Sequence, residues 1–409
     1  MATGQNGPDS AITSALSESR ILITGGTGFI GGRLVERLVQ ESGARVRVLL
    51  RNFARAPYIA RFDVDMVQAD LTDPGEVEQA MDGCDVVLHC ACQTDGSEAA
   101  QRAVNVDGTR NILEAAQRHD VQRVVHVSTI NVYGPPKDGD LDETAPRSYS
   151  GDVYSDSKVD AEKLVLDHAD RIPVSVVQPT MVYGPSGPAW TTRILNDLKN
   201  GRVILVNGGD GLCNPVYVDD MVSGIMRAAV LDGAVGEAFL ISGERPVTWR
   251  EFHGAYEEIL GVSRTVSMSA SEAEEHFNDA MGKATRLHRE SLNILREEAV
   301  VRQRLRGTSE VQAMIRVARK LVPQSMRQGL KKRLKKEAPA TAATTTAEPV
   351  ELPINPLPPP LIKLSAAKTH VRIDKAQRLL DYHPQFSFQD GARLTGEWAR
   401  WANLVDGGS

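Results

Sequence analysis

The strongest constraint on this chain lies near its start, where Thr24-Gly25-Gly26-Thr27-Gly28-Phe29-Ile30-Gly31 separates two apolar patterns. Before it runs Arg20-Ile21-Leu22-Ile23-Thr24, and after it Ile30, Leu34 and Leu38 recur at four-residue spacing. The run reads as a short buried strand and the spacing as a helix, so the order is strand, glycine turn, helix. Glycines permit a tight turn and close approach of backbone to a ligand. A helix N-terminus offers unpaired N–H groups and the positive end of its dipole to an anion. The segment is a candidate pyrophosphate cradle. Its Gly25, Gly28 and Gly31 spacing departs by one residue from the usual dinucleotide-binding pattern, and the flanking strand and helix set it apart from a plain surface turn.

The same alternation continues. Strand patterns at 20–24, 45–50, 64–69, 85–89, 122–128 and 173–178 alternate with helical patterns at 29–41, 74–82, 98–119 and 154–170. This predicts an α/β fold, a doubly wound parallel sheet with helices on both faces. Ligands bind such a sheet beyond the carboxyl ends of its strands, where the glycine turn, Asp70, His89 and Thr129 fall.

A second motif, Tyr154-Ser155-Asp156-Ser157-Lys158, carries chemistry. On a helix, residues four apart share a face, so an ammonium can lie close to a phenol. A free tyrosine has a pKa of about 10, too high for a proton acceptor at neutral pH, and a fixed positive charge nearby lowers it.

Further segments stand in a telling order: Asp70-Leu71, His89-Cys90-Ala91, Asn105-Val106, Val127-Ser128-Thr129-Ile130-Asn131-Val132-Tyr133-Gly134, Gln178-Pro179-Thr180-Met181-Val182-Tyr183-Gly184-Pro185 and Val216-Tyr217-Val218-Asp219-Asp220. With them the chain resembles the extended short-chain dehydrogenase/reductases of the NAD-dependent epimerase/dehydratase kind, from Ile21 to Leu260 and again from Thr369 to Trp398. The resemblance implies an enzyme with a Rossmann-type NAD(P)-binding sheet, a smaller C-terminal substrate-binding lid domain and a small-molecule substrate. It implies that Thr129 holds the substrate oxygen, that Tyr154 is the acid/base, and that Lys158 binds the nicotinamide ribose and lowers the tyrosine pKa. It further assigns Thr24, Gly25, Gly28, Phe29, Ile30 and Gly31 to the pyrophosphate turn, and Asp70 and Leu71 to the adenine end. Cys90, Ala91, Asn105, Gln178 and Thr180 are assigned to the cofactor's surroundings, and Asn131, Met181 and Arg193 to the substrate. Relatives often pair through the helices at 98–119 and 154–170, which implies a homodimer.

The second strand ends in Arg51, where NAD-selective relatives commonly carry an acid. An arginine there can neutralise a 2′-phosphate, which favours NADP; alternatively it stacks on the adenine or faces solvent. Sugar-nucleotide relatives often hold the diphosphate with an arginine where this chain has Cys213-Asn214-Pro215-Val216-Tyr217-Val218-Asp219-Asp220, so Arg193 or Arg202 would have to substitute. The 4,6-dehydratases carry an acid pair where Ile130 and Asn131 stand, which disfavours that reaction. An epimerase acting on a nucleotide sugar is the first expectation. The alternative is an NADP(H)-dependent dehydrogenase or reductase of ketones and secondary alcohols, like the hydroxysteroid dehydrogenase and flavanone-type branches. Below both ranks a dinucleotide-binding sensor or scaffold without turnover.

With 409 residues, 41% of them hydrophobic, the chain can form two or three structural units. No apolar stretch approaches the roughly 20 residues of a membrane span, and residues 1–19 lack a signal-peptide pattern. A disordered N-terminal tail and a cytoplasmic location are expected. Cys84, Cys90, Cys92 and Cys213 lack the paired spacing of a zinc site, and no metal is expected.

The expected organisation is a tail at 1–19, a dinucleotide-binding domain at 20–178, a lid region at 179–279, a basic helical insertion at 280–336, an Ala/Thr/Pro-rich linker at 337–362 and the rest of the lid at 363–409. Lys283 to Lys336 holds 16 Lys and Arg against 4 Asp and Glu; the whole chain carries −6. Such asymmetry points to an anionic partner or surface. Residues 326–336 form a short basic amphipathic stretch, with Met326, Leu330 and Leu334 on one side, that can lie on an anionic membrane face. A solvated helix over the substrate domain explains the same pattern equally well. No aromatic residue lies within Lys283–Lys336 to stack on bases, which argues against nucleic acid.

Overall fold

Runs of β-branched residues such as Val46, Val48, Val86, Val87, Val124 and Val125 fit a pleated, buried surface and form strands, whereas the four-spaced apolar residues between them form helices. A computed structural model describes residues 9–297 and 352–405. In chain order the first half runs α1 (Ser10–Leu16), β1 (Arg20–Thr24), α2 (Phe29–Arg37), β2 (Arg45–Leu50), β3 (Asp65–Gln68), α3 (Pro74–Met81), β4 (Val86–His89), α4 (Glu98–Arg102), α5 (Gly108–Arg118), β5 (Arg123–Val127), β6 (Gly139–Leu141), α6 (Val153–Leu166) and β7 (Val174–Pro179). The second half adds β8 (Met181–Tyr183), α7 (Arg193–Asn200), β9 (Val203–Val206), β10 (Leu212–Cys213), β11 (Pro215–Tyr217), α8 (Val218–Val230), β12 (Ala238–Ile241), β13 (Val247–Thr248) and α9 (Trp249–Leu260). It closes with β14 (Thr265–Met268), α10 (Ala270–Glu297), α11 (Pro359–Ala366), β15 (Thr369–Val371), α12 (Asp374–Leu380) and α13 (Phe388–Trp401).

Seven strands form the central sheet in the order β12-β7-β5-β4-β1-β2-β3, every pairing parallel. This is the doubly wound, Rossmann-type sheet the sequence predicted. Leu34 and Val35 of α2 and Met221, Val222 and Ile225 of α8 cover one face. Val77 and Met81 of α3, Ile112 and Leu113 of α5 and Val165 of α6 cover the other. Each such side chain, wholly withdrawn from water, contributes about 1.5–3 kcal/mol. The lid has its own core around Trp249, Phe252 and Tyr256 of α9. No helix of the described residues is long and apolar enough to cross a membrane.

Two expectations need correction. The expected tail over 1–19 is ordered from residue 9: Ile12 and Leu16, four apart, are buried in α1, and the Asp9 carboxylate lies 3.0 Å from both Arg37 and Arg227. The lid also reaches further than the expected boundaries. α10 begins at Ala270 with Ala273 fully buried, so it crosses the boundary placed at 280. On the return, the Arg202 N–H donates to the Pro353 carbonyl at 2.8 Å, and Asn355 donates back to Arg202 at 2.8 Å. Pro359 then opens α11, whose Ile362 is 1% exposed. Chain expected to be linker up to 362 is therefore docked from 352 onward. The basic stretch 326–336 lies outside the described residues.

Candidate active site

β1 feeds directly into the glycine turn, and α2 starts at Phe29 with Gly28 as its N-cap. No side chain caps this end, which leaves the first-turn N–H groups of α2 for an outside acceptor. The turn is built too tightly for any side chain at two positions. A Cβ on Gly31 would lie 2.3 Å from the Gly25 carbonyl oxygen, and Gly25 adopts φ +71° with the Ala91 backbone nitrogen 2.7 Å from where its own Cβ would stand. A bare, glycine-lined helix N-terminus of this kind fits a dinucleotide pyrophosphate.

The turn opens into a cleft of about 990 Å3 running past the carboxyl ends of β1, β2, β4 and β5. Of the residues singled out in the sequence, Gly25, Gly28, Phe29, Ile30, Gly31, Arg51, Asp70, Leu71, Cys90, Ala91, Thr129, Asn131, Tyr154, Lys158, Thr180 and Met181 line it. Four do not. The Thr24 hydroxyl is taken up by His89 Nδ1 at 2.6 Å and accepts from the Ala91 N–H at 3.2 Å. Asn105 donates to the Gln93 carbonyl and to Ser157 Oγ, each at 2.9 Å. Gln178 donates to Glu162 at 2.8 Å and accepts from the Tyr133 hydroxyl at 2.8 Å. These three support the wall from behind. Arg193 is exposed, paired with Asp197 at 3.5 Å, and Arg202 is likewise outside the lining.

Asp152 caps α6 by accepting the Ser155 N–H at 2.9 Å, and this fixes the helix that presents Tyr154 and Lys158 to the cleft. The Tyr154 side chain is partly exposed to the cleft, yet its hydroxyl sits deep among protein atoms. Burial, and next the negative charge Cys92 carries when ionised, push its pKa above the ordinary tyrosine value, while the Thr129 side chain hydrogen-bonded to it pulls the other way. The expected depression of the phenol by Lys158 is therefore not the dominant effect. The lysine is 1% exposed and its ammonium bonds elsewhere, to the Val127 carbonyl at 2.7 Å and to His126 Nε2 at 3.0 Å. Burial holds its pKa below the usual lysine value. Glu162, one turn further along α6, is occupied by Ser128, Gln178 and Arg147, each at 2.8 Å. It braces the end of β5 that carries Thr129.

The two ends of the cleft differ in character. At the β2 end stand Arg51 and also Arg55, which the sequence reading missed. Asn52 caps the short turn Phe53–Arg55 by accepting the Ala54 N–H at 2.8 Å, which sets the turn but not which arginine of the loop faces the cleft. The opposite half is walled by Ile130, Pro135, Leu141, Pro146, Met181, Trp190, Leu212 and Leu364, with Lys137 as its cation beside Asp138 and Asp140. Among the described residues no arginine lines that half. Leu364 arrives from α11 and Thr369 from β15, and no local pattern could have announced either.

Three buried histidines mark the fold for acid sensitivity. His89 is held at about 3 and His253 at about 4, both chiefly by burial, and His126 lies well below its ordinary range for the same reason with the Lys158 charge added. The unfolded chain protonates histidine near 6.5. Below that value the unfolded state binds more protons than the folded one, so stability is lost as pH falls. His89 and His253 should each cost about 2 kcal/mol between pH 7 and pH 5. Urea unfolding at the two values should show His253→Gln losing about 2 kcal/mol less than wild type; equal losses would remove His253 from the account.

Residues 21–242 match the family model of the NAD dependent epimerase/dehydratase family. A 3 beta-hydroxysteroid dehydrogenase/Delta 5→4-isomerase of Mycobacterium tuberculosis is 32% identical over 264 residues, 60% of this chain and 70% of that one. A 2-alkyl-3-oxoalkanoate reductase of Shewanella oneidensis is 30% identical over 253 residues, 57% of this chain and 64% of that one. An epimerase from Methanothermobacter thermautotrophicus has a similar structure, with a TM-score of 0.67, 18% identity and 98% of each chain covered, a likeness of fold alone. A glycine cradle on a seven-stranded parallel sheet, with Tyr154 and Lys158 on one helix facing the cleft, agrees with the family match: the chain belongs to the NAD-dependent epimerase/dehydratase family and is an NAD(P)-dependent enzyme.

Proposed function

We propose that this enzyme interconverts a ketone and a secondary alcohol on an apolar substrate, using NADP(H). The observation that carries this reading is the substrate half of the cleft, walled largely by aliphatic and aromatic side chains and, among the described residues, without an arginine. A nucleoside diphosphate sugar brings two negative charges that need bidentate or clustered cations, and Lys137 beside two aspartates is a poor match for them. The substrates named for the two relatives, a steroid and a 2-alkyl-3-oxoalkanoate, present a carbonyl or carbinol on a largely hydrocarbon body, the second with a single carboxylate, and such bodies suit this wall.

When bound, the nicotinamide supplies or accepts hydride at the substrate carbon. The protein's residues handle the oxygen. Thr129 donates a hydrogen bond that fixes the carbonyl, Tyr154 gives it a proton on reduction or takes one on oxidation, and Lys158 holds the ribose side with its charge. Arg51 and Arg55 together offer two guanidinium groups to a 2′-phosphate, which favours NADP over NAD.

A substrate panel tests the reading. Purified protein supplied with apolar ketones should oxidise NADPH faster than NADH and leave UDP-sugars unconverted. Epimerisation of a UDP-sugar, with dinucleotide retained on the protein, would overturn it.

A further inference from the structure

Two buried histidines stand side by side on adjacent strands beneath the cleft, and they are partnered differently. His89 on β4 and His126 on β5 are register partners, with ring centroids 5.2 Å apart. His89 is satisfied at both nitrogens by hydroxyls, Thr24 at 2.6 Å and Thr109 at 3.0 Å. It behaves as a core histidine closed within the wall. His126 is equally buried, yet its Nδ1 has no partner and its Nε2 faces Lys158 Nζ at 3.0 Å. An ammonium has three donors and no acceptor, so the imidazole nitrogen must be the acceptor, with its proton on the unpartnered Nδ1.

We propose that His126 is a positioning residue for Lys158: its imidazole takes one of the three ammonium hydrogen bonds and, with the Val127 carbonyl, sets where the positive charge stands in the cleft. The surroundings leave that task to neutral acceptors. The carboxylate one turn along α6, Glu162, is taken up by Ser128, Gln178 and Arg147. The titratable groups facing the pair are His89 from β4, Cys90 and Cys92 from the segment after it, and Glu162 from α6. With two acceptors fixed on the β5 side, the third N–H of Lys158 is left for the cleft that the residue lines. Removing the imidazole acceptor destabilises the charged form, so the lysine should lose its proton at lower pH.

The inference rests on the proposed role of Lys158 in dinucleotide binding, and the experiment separates the two. Titration of Lys158 is followed by NMR in protein carrying isotope-labelled lysine, its signal identified by loss in Lys158→Met, beside NADPH affinity measured by fluorescence across pH. His126→Phe, which keeps a ring and removes the acceptor, should lower the Lys158 pKa by about one unit and weaken NADPH about tenfold. Binding should also fade at correspondingly lower pH. His126→Gln, whose carboxamide oxygen reaches about as far as Nε2, should return both to near wild type. Should His126→Phe fail to fold, His126→Asn, which carries an acceptor too short to reach, replaces it. A folded acceptor-less variant with an unshifted lysine and unshifted NADPH binding overturns the proposal. If wild type binds no dinucleotide, the functional reading fails, and the lysine titration still decides the role of His126.

Discussion

Tyr154→Phe should lower turnover about a thousandfold while leaving dinucleotide binding within a factor of two. The substitution removes one oxygen. The ring keeps its place on α6, and the glycine turn, Lys158 and the arginines at the far end are untouched. What disappears is the proton carrier next to Thr129, and hydride transfer without protonation would leave a costly alkoxide in a largely apolar cleft. Rates measured over pH with the best ketone of the panel, beside an NADPH binding curve, make the test. Turnover near wild type in the phenylalanine variant would show that another group moves the proton; a parallel loss of binding would show that the tyrosine holds the cofactor rather than the substrate oxygen.

Gly31→Ala should abolish measurable dinucleotide binding, a loss above about a hundredfold, and cost about 1–3 kcal/mol of stability. The added methyl would lie 2.3 Å from the Gly25 oxygen and 2.8 Å from its carbonyl carbon, and both are backbone atoms that cannot rotate aside. The turn has to open, and it opens at the place where a pyrophosphate would sit. Gly254→Ala is the matched control, because in α9 its new methyl meets nothing within 4 Å. That change should leave binding alone and add about 0.5–1 kcal/mol of helix stability. Chemical denaturation and NADPH titration of the pair distinguish a steric block from a general dislike of alanine. Unaltered binding in Gly31→Ala would sink the assignment of the turn as the phosphate cradle.

Local signals account for what could be read in advance. The strand, glycine turn and helix around Gly25 to Gly31, the helical spacing of Tyr154 and Lys158, and the alternation that builds a parallel sheet all act within a dozen residues, where periodicity and turn chemistry speak directly. Errors begin where partners are distant. Residues 9–17 look polar in isolation, and only the arginines on α2 and α8, with the apolar flank of α8, give Asp9, Ile12 and Leu16 something to bind. Thr24, Asn105 and Gln178 sit next to cleft residues in the chain, yet their side chains are captured by His89, Ser157 and Glu162. Lys158 was assigned by its spacing from Tyr154, while its observed hydrogen bonds run to a strand some thirty positions earlier. Arg55 was overlooked because the segment after β2 carries Arg51, Arg55 and Arg61 with no pattern that says which of them line the cleft.

The clasp between distant segments at the lid has a consequence for the order in which the molecule is assembled. Asn214 donates to the Thr369 carbonyl at 2.9 Å and accepts from the Val371 N–H at 3.0 Å, while β15 lies parallel to β6. One side of the cleft is therefore supplied by residues 359–371, long after the glycine cradle has left the ribosome. A nascent chain can complete the sheet as far as β12 while its substrate wall has not yet been made, because contacts across such sequence distances form late. Premature termination before α11 would thus yield a protein with a cradle for the dinucleotide and an open flank where the substrate belongs.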